Sequence, residues 1–506
     1  METNVTGSHE QYSNKFFGHP RGLATLFFTE MWERFSFYGM RAILVLFMIA
    51  AATGANPGMH LTIETATAIY GLYMMSVYLF SLPGGWVADK ILGLRKSVWY
   101  GGILIACGHF SMAIDTRETF FMGLVFIVLG TGLLKPNVSS IVGGLYSNAS
   151  GAKRDAGFSI FYMGINIGAT IAPLVCGYLG ENINWHYGFG AAGVGMVIGL
   201  IQYKATDKYL GEIGLEPEKH PDPDIQAKKM KNSKLGLSIS VGIIFVIVLA
   251  ALMNIIHINP VILSDWSATI LVAIALVYFI YLLFFSDLEK KERMKVGAII
   301  VLFFFSVAFW FGFEQAGSSL NIFADQYTHR VFFGWNMPAS WLQTVNPTFI
   351  IIFAPIFGWL WVWLNKRNLE PSSPVKFAMG LILMGAGFFV MVFAAKVALA
   401  HQKASVVFLI ITYLLHTFGE LSLSPVGLST VTKLSPKRLV GQMMGVWFMS
   451  VALAEIIAGR FAGQFNPKDV HQMPHLFMIV VIVGVGAGVL LLIFNKPVRK
   501  LMQDVH

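Results

Sequence analysis

A chain of 506 residues that is 56% hydrophobic and 12% charged, with a mean hydropathy of +0.65, is not a soluble domain; such a domain would carry about twice that share of charge. The net charge of +9 does not mark a nucleic-acid binder, because the basic residues lie in short loops between apolar spans and read as topology signals, with membrane-surface contact as a side effect. Two cysteines, Cys107 and Cys176, both inside apolar spans, exclude a disulfide framework and a zinc pattern.

Residues 1–20 are polar, and the first apolar run is long and lacks a small-residue cleavage site, so no cleaved signal peptide is expected. That run, from Leu23 to Ala52, contains EMWERFSFYGMR (30–41). At 100° per residue, Glu30, Glu33, Arg34, Phe37, Tyr38 and Arg41 share roughly 140° of one side. A lipid-facing helix could not carry that side, since each charge at mid-bilayer costs ~2.5–3.5 kcal/mol. The face looks into protein, either as an ion-pair network between helices or as one wall of a cavity.

Hydropathy and breakers place spans near 22–52, 62–88, 97–114, 119–146, 156–180, 186–204, 235–257, 266–286, 296–322, 340–364, 376–396, 404–432, 440–464 and 474–495. These fourteen divide as six, two and six. The expected layout is a cytoplasmic tail (1–21), a six-helix half (22–204), a cytoplasmic linker (205–234), two additional helices with their loop (235–295), a second half (296–495) and a cytoplasmic tail (496–506). The Lys/Arg bias puts both termini on the cytoplasmic side of the cell inner (plasma) membrane. The additional pair has few ionisable residues in its apolar parts and is expected at the periphery, facing lipid.

The loop GGWVADKILGLRK (84–96) resembles the loop signature of the facilitator superfamily, with Asp89 free to pair with Arg95 or Lys96 at helix ends. The fourth span holds Lys135 directly before Pro136, where a proline kink beside a cavity is expected; a lysine there needs an anionic partner unless it snorkels to an interface. Asn166, among glycines and small residues in the fifth span, either ties helices together or meets a ligand. In the second half Glu314 and Gln315 sit in an aromatic run, Asn346 precedes Pro347, and Glu420 lies beside Ser422 and Ser424 in a helix expected to be broken by Pro425. Glu455 and Arg460 either pair loosely or serve separate neighbours. His109 and His416 lack a second histidine at haem-ligand spacing and read as interior residues. With Tyr38, Tyr78, Tyr162 and Trp447 as further candidate lining groups, such walls suit a solute with one positive end, one negative end and variable apolar side chains. Amino acids and short peptides answer that description.

These stretches resemble the proton-dependent oligopeptide transporter family of the major facilitator superfamily, in its bacterial branch. EMWERFSFYG matches the family's ExxERFxYYG, except that the first tyrosine is Phe37; FYMGINIG (161–168), FEQAGSSLNIFAD (313–325) and GELSLSPVGLSTVTKLSP (419–436) are similar to further family motifs. The resemblance implies an all-α polytopic protein with the major facilitator fold, two extra helices between the halves, and proton-coupled import of di- and tripeptides by alternating access. It implies that Arg34 and Lys135 hold the peptide carboxylate, and that Glu420, Asn166 and Asn346 receive the amino terminus. Glu30 and Glu33, with Arg34, would couple protons, and Tyr38, Tyr78 and Trp447 would line side-chain pockets. Lys135 with Glu420 would close the cytoplasmic side and Arg41 with Glu314 the outer side. Protons are the coupling ion, and no cofactor, metal or enzymatic activity is expected. Two departures stand out: Phe37 lacks a family hydroxyl, and Gly71 stands where animal members carry a proton-linked histidine. A relative moving another small anion such as nitrate is the alternative on this scaffold, and Glu420 speaks against a purely anionic substrate.

Overall fold

The computed structural model describes residues 14–147, 150–217, 222–253, 255–465 and 470–503. Residues 1–13 and 504–506 of the expected tails, and 218–221 of the expected linker, lie outside the described residues. Helices stand at all the expected spans: Arg21–Ile49, Ile63–Leu79, Leu94–Met112, Arg117–Leu145, Gly151–Ala172, Trp185–Thr206, Pro223–Leu252, Pro260–Ile280, Lys290–Phe313, Val345–Lys366, Ser373–His401, Val406–Leu434, Val440–Ala462 and Met473–Ile493. Among the described residues, 11 helical stretches are long and apolar enough to cross a membrane on composition alone. Arg21–Ile49 falls short because of its own charges, and Leu94–Met112 and Trp185–Thr206 because basic, histidine and glycine residues dilute them.

Local chemistry sets many of the helix starts. Asp222 and Asn259 precede Pro223 and Pro260; each side-chain oxygen accepts from two backbone N–H groups of the first turn, at 2.9–3.2 Å. Proline fits the first helical position, where no N–H is required. Glu289 and Glu292 form a reciprocal capping box at the head of Lys290–Phe313. Pro425 lies inside Val406–Leu434 without interrupting it, contrary to the expected break; one missing N–H leaves the neighbouring turns bonded.

By packing, the chain forms two compact units, residues 1–43 with 79–258, and residues 44–78 with 259–506. The first has a core of Leu23, Leu26, Val98, Ile105, Leu134 and Val138. Its helices Leu94–Met112 and Arg117–Leu145 touch through glycine: a Cβ on Gly101 would lie 2.7 Å from the Gly130 carbonyl oxygen. The 84–96 loop ends its helix in a π turn, Ala88–Leu92, and leaves through Gly93 at φ +80°, a left-handed conformation that glycine adopts without strain. Arg95 then donates to the carbonyls of Gly211 (2.7 Å) and Asp207 (3.0 Å) and meets the Asp207 carboxylate at 3.4 Å, anchoring the loop after Trp185–Thr206.

In the second unit, Ile63–Leu79 lies against Val440–Ala462. A Cβ on Gly71 would be 3.2 Å from both the Gly459 Cα and the Glu455 carbonyl oxygen, and one on Gly459 would be 2.5 Å from the Thr67 carbonyl oxygen. Chain order groups Ile63–Leu79 with the first six helices, whereas packing joins it to the twelfth and thirteenth spans' unit. Ser306 and Ser450 share a 2.8 Å hydrogen bond that ties Lys290–Phe313 to Val440–Ala462. The additional pair is peripheral: none of the apolar window of Asp224–Ala251 is buried, and only 22% of that of Pro260–Phe285.

Candidate functional site

Residues 30–41 occupy the middle of Arg21–Ile49, and Glu30, Glu33, Arg34, Phe37 and Arg41 are all buried. The Arg34 Nε donates to Glu33 Oε2 and stands 3.2 Å from Glu30 Oε1, one turn back. The guanidinium also lies 5.0 Å from the Phe37 ring centroid, so the residue that lacks the family hydroxyl still offers a π face to the cation. Ser36 donates to the Glu33 carbonyl at 2.8 Å and fixes that turn. Lys135, half-buried in Arg117–Leu145, is close enough for its charge to act on Glu30. Thus the first unit brings together Glu30, Glu33, Arg34 and Lys135. Within this cluster, Arg34 Nη2, Glu30 Oε2 and Glu33 Oε1 are buried and meet no hydrogen-bonding partner among the described residues.

Other expected residues of this unit sit differently. Asn166 is buried, and its Nδ2 donates to the Tyr162 carbonyl one turn back at 2.9 Å, which leaves the amide oxygen for another partner. Arg41 reaches over the Tyr38 ring at 5.8 Å.

The second unit has its own polar centre. Asn346 Nδ2 donates to Glu420 Oε2 at 3.2 Å and to Thr417 Oγ1 at 3.0 Å, while the Thr417 hydroxyl donates to the Tyr413 carbonyl at 2.7 Å. Asn346 and Glu420 are therefore joined directly by a hydrogen bond. Thr417 was missed; its spacing one turn before Glu420 was the available signal. Trp447 is buried between the edge of Phe377 (centroids 6.1 Å apart) and Gly427, whose missing side chain makes room for the indole. Glu314 is buried in a 3₁₀ turn, Glu314–Gly317, that interrupts the helix between Lys290–Phe313 and Ser319–Tyr327. The adjacent Gln315 donates to the Ala458 carbonyl at 3.3 Å and so pins that turn to Val440–Ala462. Sequence reading gave Gln315 no role; its amide does not differ in type from many surface ones.

Helices at fourteen expected spans, with acids and bases buried among their apolar residues, define a multi-pass membrane protein. Residues 95–477 match the family model described as PTR2, POT family. The chain is 42% identical to Peptide transporter YePEPT of Yersinia enterocolitica subsp. palearctica, over 99% of both chains. It is 38% identical to the Di-/tripeptide transporter of Lactococcus lactis subsp. cremoris, over 97% of this chain and 98% of that one. A crystal structure of a variant of peptide transporter POT in complex with alafosfalin matches it with a TM-score of 0.88 at 38% identity, over 99% of this chain and 100% of that one. The chain belongs to the POT family of transporters and has that family's major facilitator fold.

Proposed function

We propose that the chain is a proton-coupled symporter that imports di- and tripeptides by alternating access. The observation that carries this reading is the buried Glu30–Glu33–Arg34 cluster, in which a permanently charged base and two acids each keep a polar atom that meets no hydrogen-bonding partner among the described residues. A buried charged group left so costs several kcal/mol unless a ligand or a proton completes it. The names of the relatives, a peptide transporter and a di-/tripeptide transporter, support the same reading.

In this reading Arg34 and Lys135 hold the peptide carboxylate, and Glu420, Asn346 and Asn166 receive the ammonium. Tyr38, Tyr78 and Trp447 meet side chains. Protonation of Glu33 or Glu30 releases Arg34 for the incoming carboxylate, and loss of that proton on the far side expels it. One proton moving down 100 mV supplies ~2.3 kcal/mol and each pH unit ~1.4 kcal/mol, enough for concentrative uptake. Lys135 with Glu420, and Arg41 with Glu314, act as alternating closures. Both termini and the 205–234 linker face the cytoplasm of a plasma-membrane protein, on the strength of the Lys/Arg bias. Cysteine labelling from outside intact cells should therefore leave all three unmodified.

The deciding experiment is a competition panel in proteoliposomes with an imposed pH gradient. Free dipeptides should compete, and nitrate and free amino acids should compete poorly. C-terminal amidation or N-terminal acetylation should weaken competition at least about tenfold, since each leaves a buried charge of the protein unanswered. Equal competition by blocked and free dipeptides would remove the two-ended site.

A further inference from the structure

The additional helix Pro260–Ile280, otherwise largely exposed, meets Val440–Ala462 through the hydrogen bond of Tyr278 to Gln442 and, at its other end, through an ion pair of Asp265 with Arg460. We propose that Asp265, on the additional helix Pro260–Ile280, competes with Glu64 for Arg460 and so sets how firmly Ile63–Leu79 is held against Val440–Ala462. These are positioning residues for the cycle, and the proposal rests on the alternating-access reading above.

Arg460 lies near the end of Val440–Ala462. Its Nε and Nη2 form a fork on the Asp265 carboxylate at 2.6 and 3.3 Å, whereas Glu64, in the first turn of Ile63–Leu79, is met only by Nη1 at 3.5 Å. One guanidinium thus serves two carboxylates, with the better geometry given to Asp265. The side chains of Asp265 and Glu64 are 57% and 56% exposed, and a cavity of about 550 Å³ opens beside them, walled by Phe311, Ile457 and Phe461. Both carboxylates lie open at the surface of the protein near helix ends, so partner exchange there avoids the burial cost of an interior pair.

Just along the helix from this triad runs the glycine contact of Gly71 with Gly459, and a Cβ on Gly463 would come 3.2 Å from the Glu64 Cα. Ile63–Leu79 belongs by chain order to the first six helices and Val440–Ala462 to the last six. Rocking of those two sets requires the glycine contact to part, and the Glu64–Arg460 contact opposes the parting. Asp265 weakens that opposition by holding Arg460 away. Removing the two carboxylates should therefore have opposite effects, which a merely structural role would not produce.

The test uses the full chain in nanodiscs, with Cys107→Ser and Cys176→Ala and spin labels at Thr62→Cys and Gln464→Cys, read as a distribution of distances. Glu64→Gln should raise the long-distance fraction about two- to fivefold, and Asp265→Asn should lower it by a similar factor, in the range of an exposed ion pair. Asp265→Glu should restore the parent distribution, and Arg460→Lys, which loses the fork, should shrink the difference between the two. Shifts in the same direction, or none, in variants with unchanged thermal unfolding would overturn the proposal and leave Asp265 as a tether for the additional helix. A parent protein that takes up no dipeptide would sink the symport reading instead, while the distance distributions still decide the competition for Arg460.

Discussion

Arg34 and Arg460 each face two carboxylates, and almost everything else about them differs. Arg34 is buried with Glu30 and Glu33 on its own helix, and one of its nitrogens and one oxygen of each acid stay unmatched among the described residues. Arg460 is partly exposed, binds Asp265 with both prongs of its fork, and reaches Glu64 on a second helix. In the first setting solvent cannot screen or replace a partner, so any change of charge must be answered by a proton or a ligand. In the second, water and salt make the partners interchangeable at a cost of ~0–1 kcal/mol. Burial makes an ion cluster obligatory, and exposure makes one adjustable.

The contrast is broken most forcefully at Arg34. Arg34→Gln leaves two buried acids facing each other without their base, which should cost ~3–5 kcal/mol in detergent-solubilised protein by thermal unfolding, and should abolish peptide uptake. A melting temperature within a degree of the parent would mean that the cluster is solvated. Next comes Glu33→Gln, which keeps the shape but cannot load a proton. Proton-driven accumulation should vanish while exchange without a gradient persists, and parental accumulation ratios would take Glu33 out of the coupling. A smaller effect is expected for Arg41 and Glu314. Reversing both charges together should restore more transport than either reversal alone, with a coupling of ~0.5–3 kcal/mol if they meet, whereas strictly additive losses would show that they never do.

The smallest effect belongs to the exposed end of the comparison, at Glu370. Burial alone would raise its pKa, but hydrogen bonds from Lys376 and Asn365, with the charges of Lys376 and Lys433, outweigh it and hold the carboxyl below the usual range. The native state then binds fewer protons than the unfolded one. The stabilisation is complete above the unfolded value of ~4.3 and disappears as pH falls through the lower native value. Glu370→Gln should lower the melting temperature slightly at pH 7 and converge on the parent near the acid end; an equal shift at both pH values would make the charge irrelevant.

What could be read in advance follows the same division. The charged face of residues 30–41 was legible because helical periodicity alone gathers it, and the spans were legible because apolar runs of that length have few other uses. Asn346 and Glu420, both named as candidates from their motifs, are hydrogen-bonded to one another. Long-range choices among equivalent partners were not legible. Arg460 was left between a loose pair with Glu455 and separate neighbours, and its partners are Asp265 and Glu64, which lie 195 and 396 positions away in the chain. Nothing in local sequence distinguishes those carboxylates from others at helix ends. Arg95 likewise turned to carbonyls and to Asp207 more than a hundred residues on, a choice fixed by how the loop docks rather than by its composition.

Gly71 has an evolutionary consequence. The ideal Cβ there already stands 3.2 Å from the backbone of the facing helix, tighter than ordinary van der Waals contact, so any side chain at this position requires the two backbones to give way. A histidine at this position is therefore gained only together with that adjustment of the facing helix. The buried carboxylates of Glu30 and Glu33 on Arg21–Ile49 are already in place and need no such adjustment.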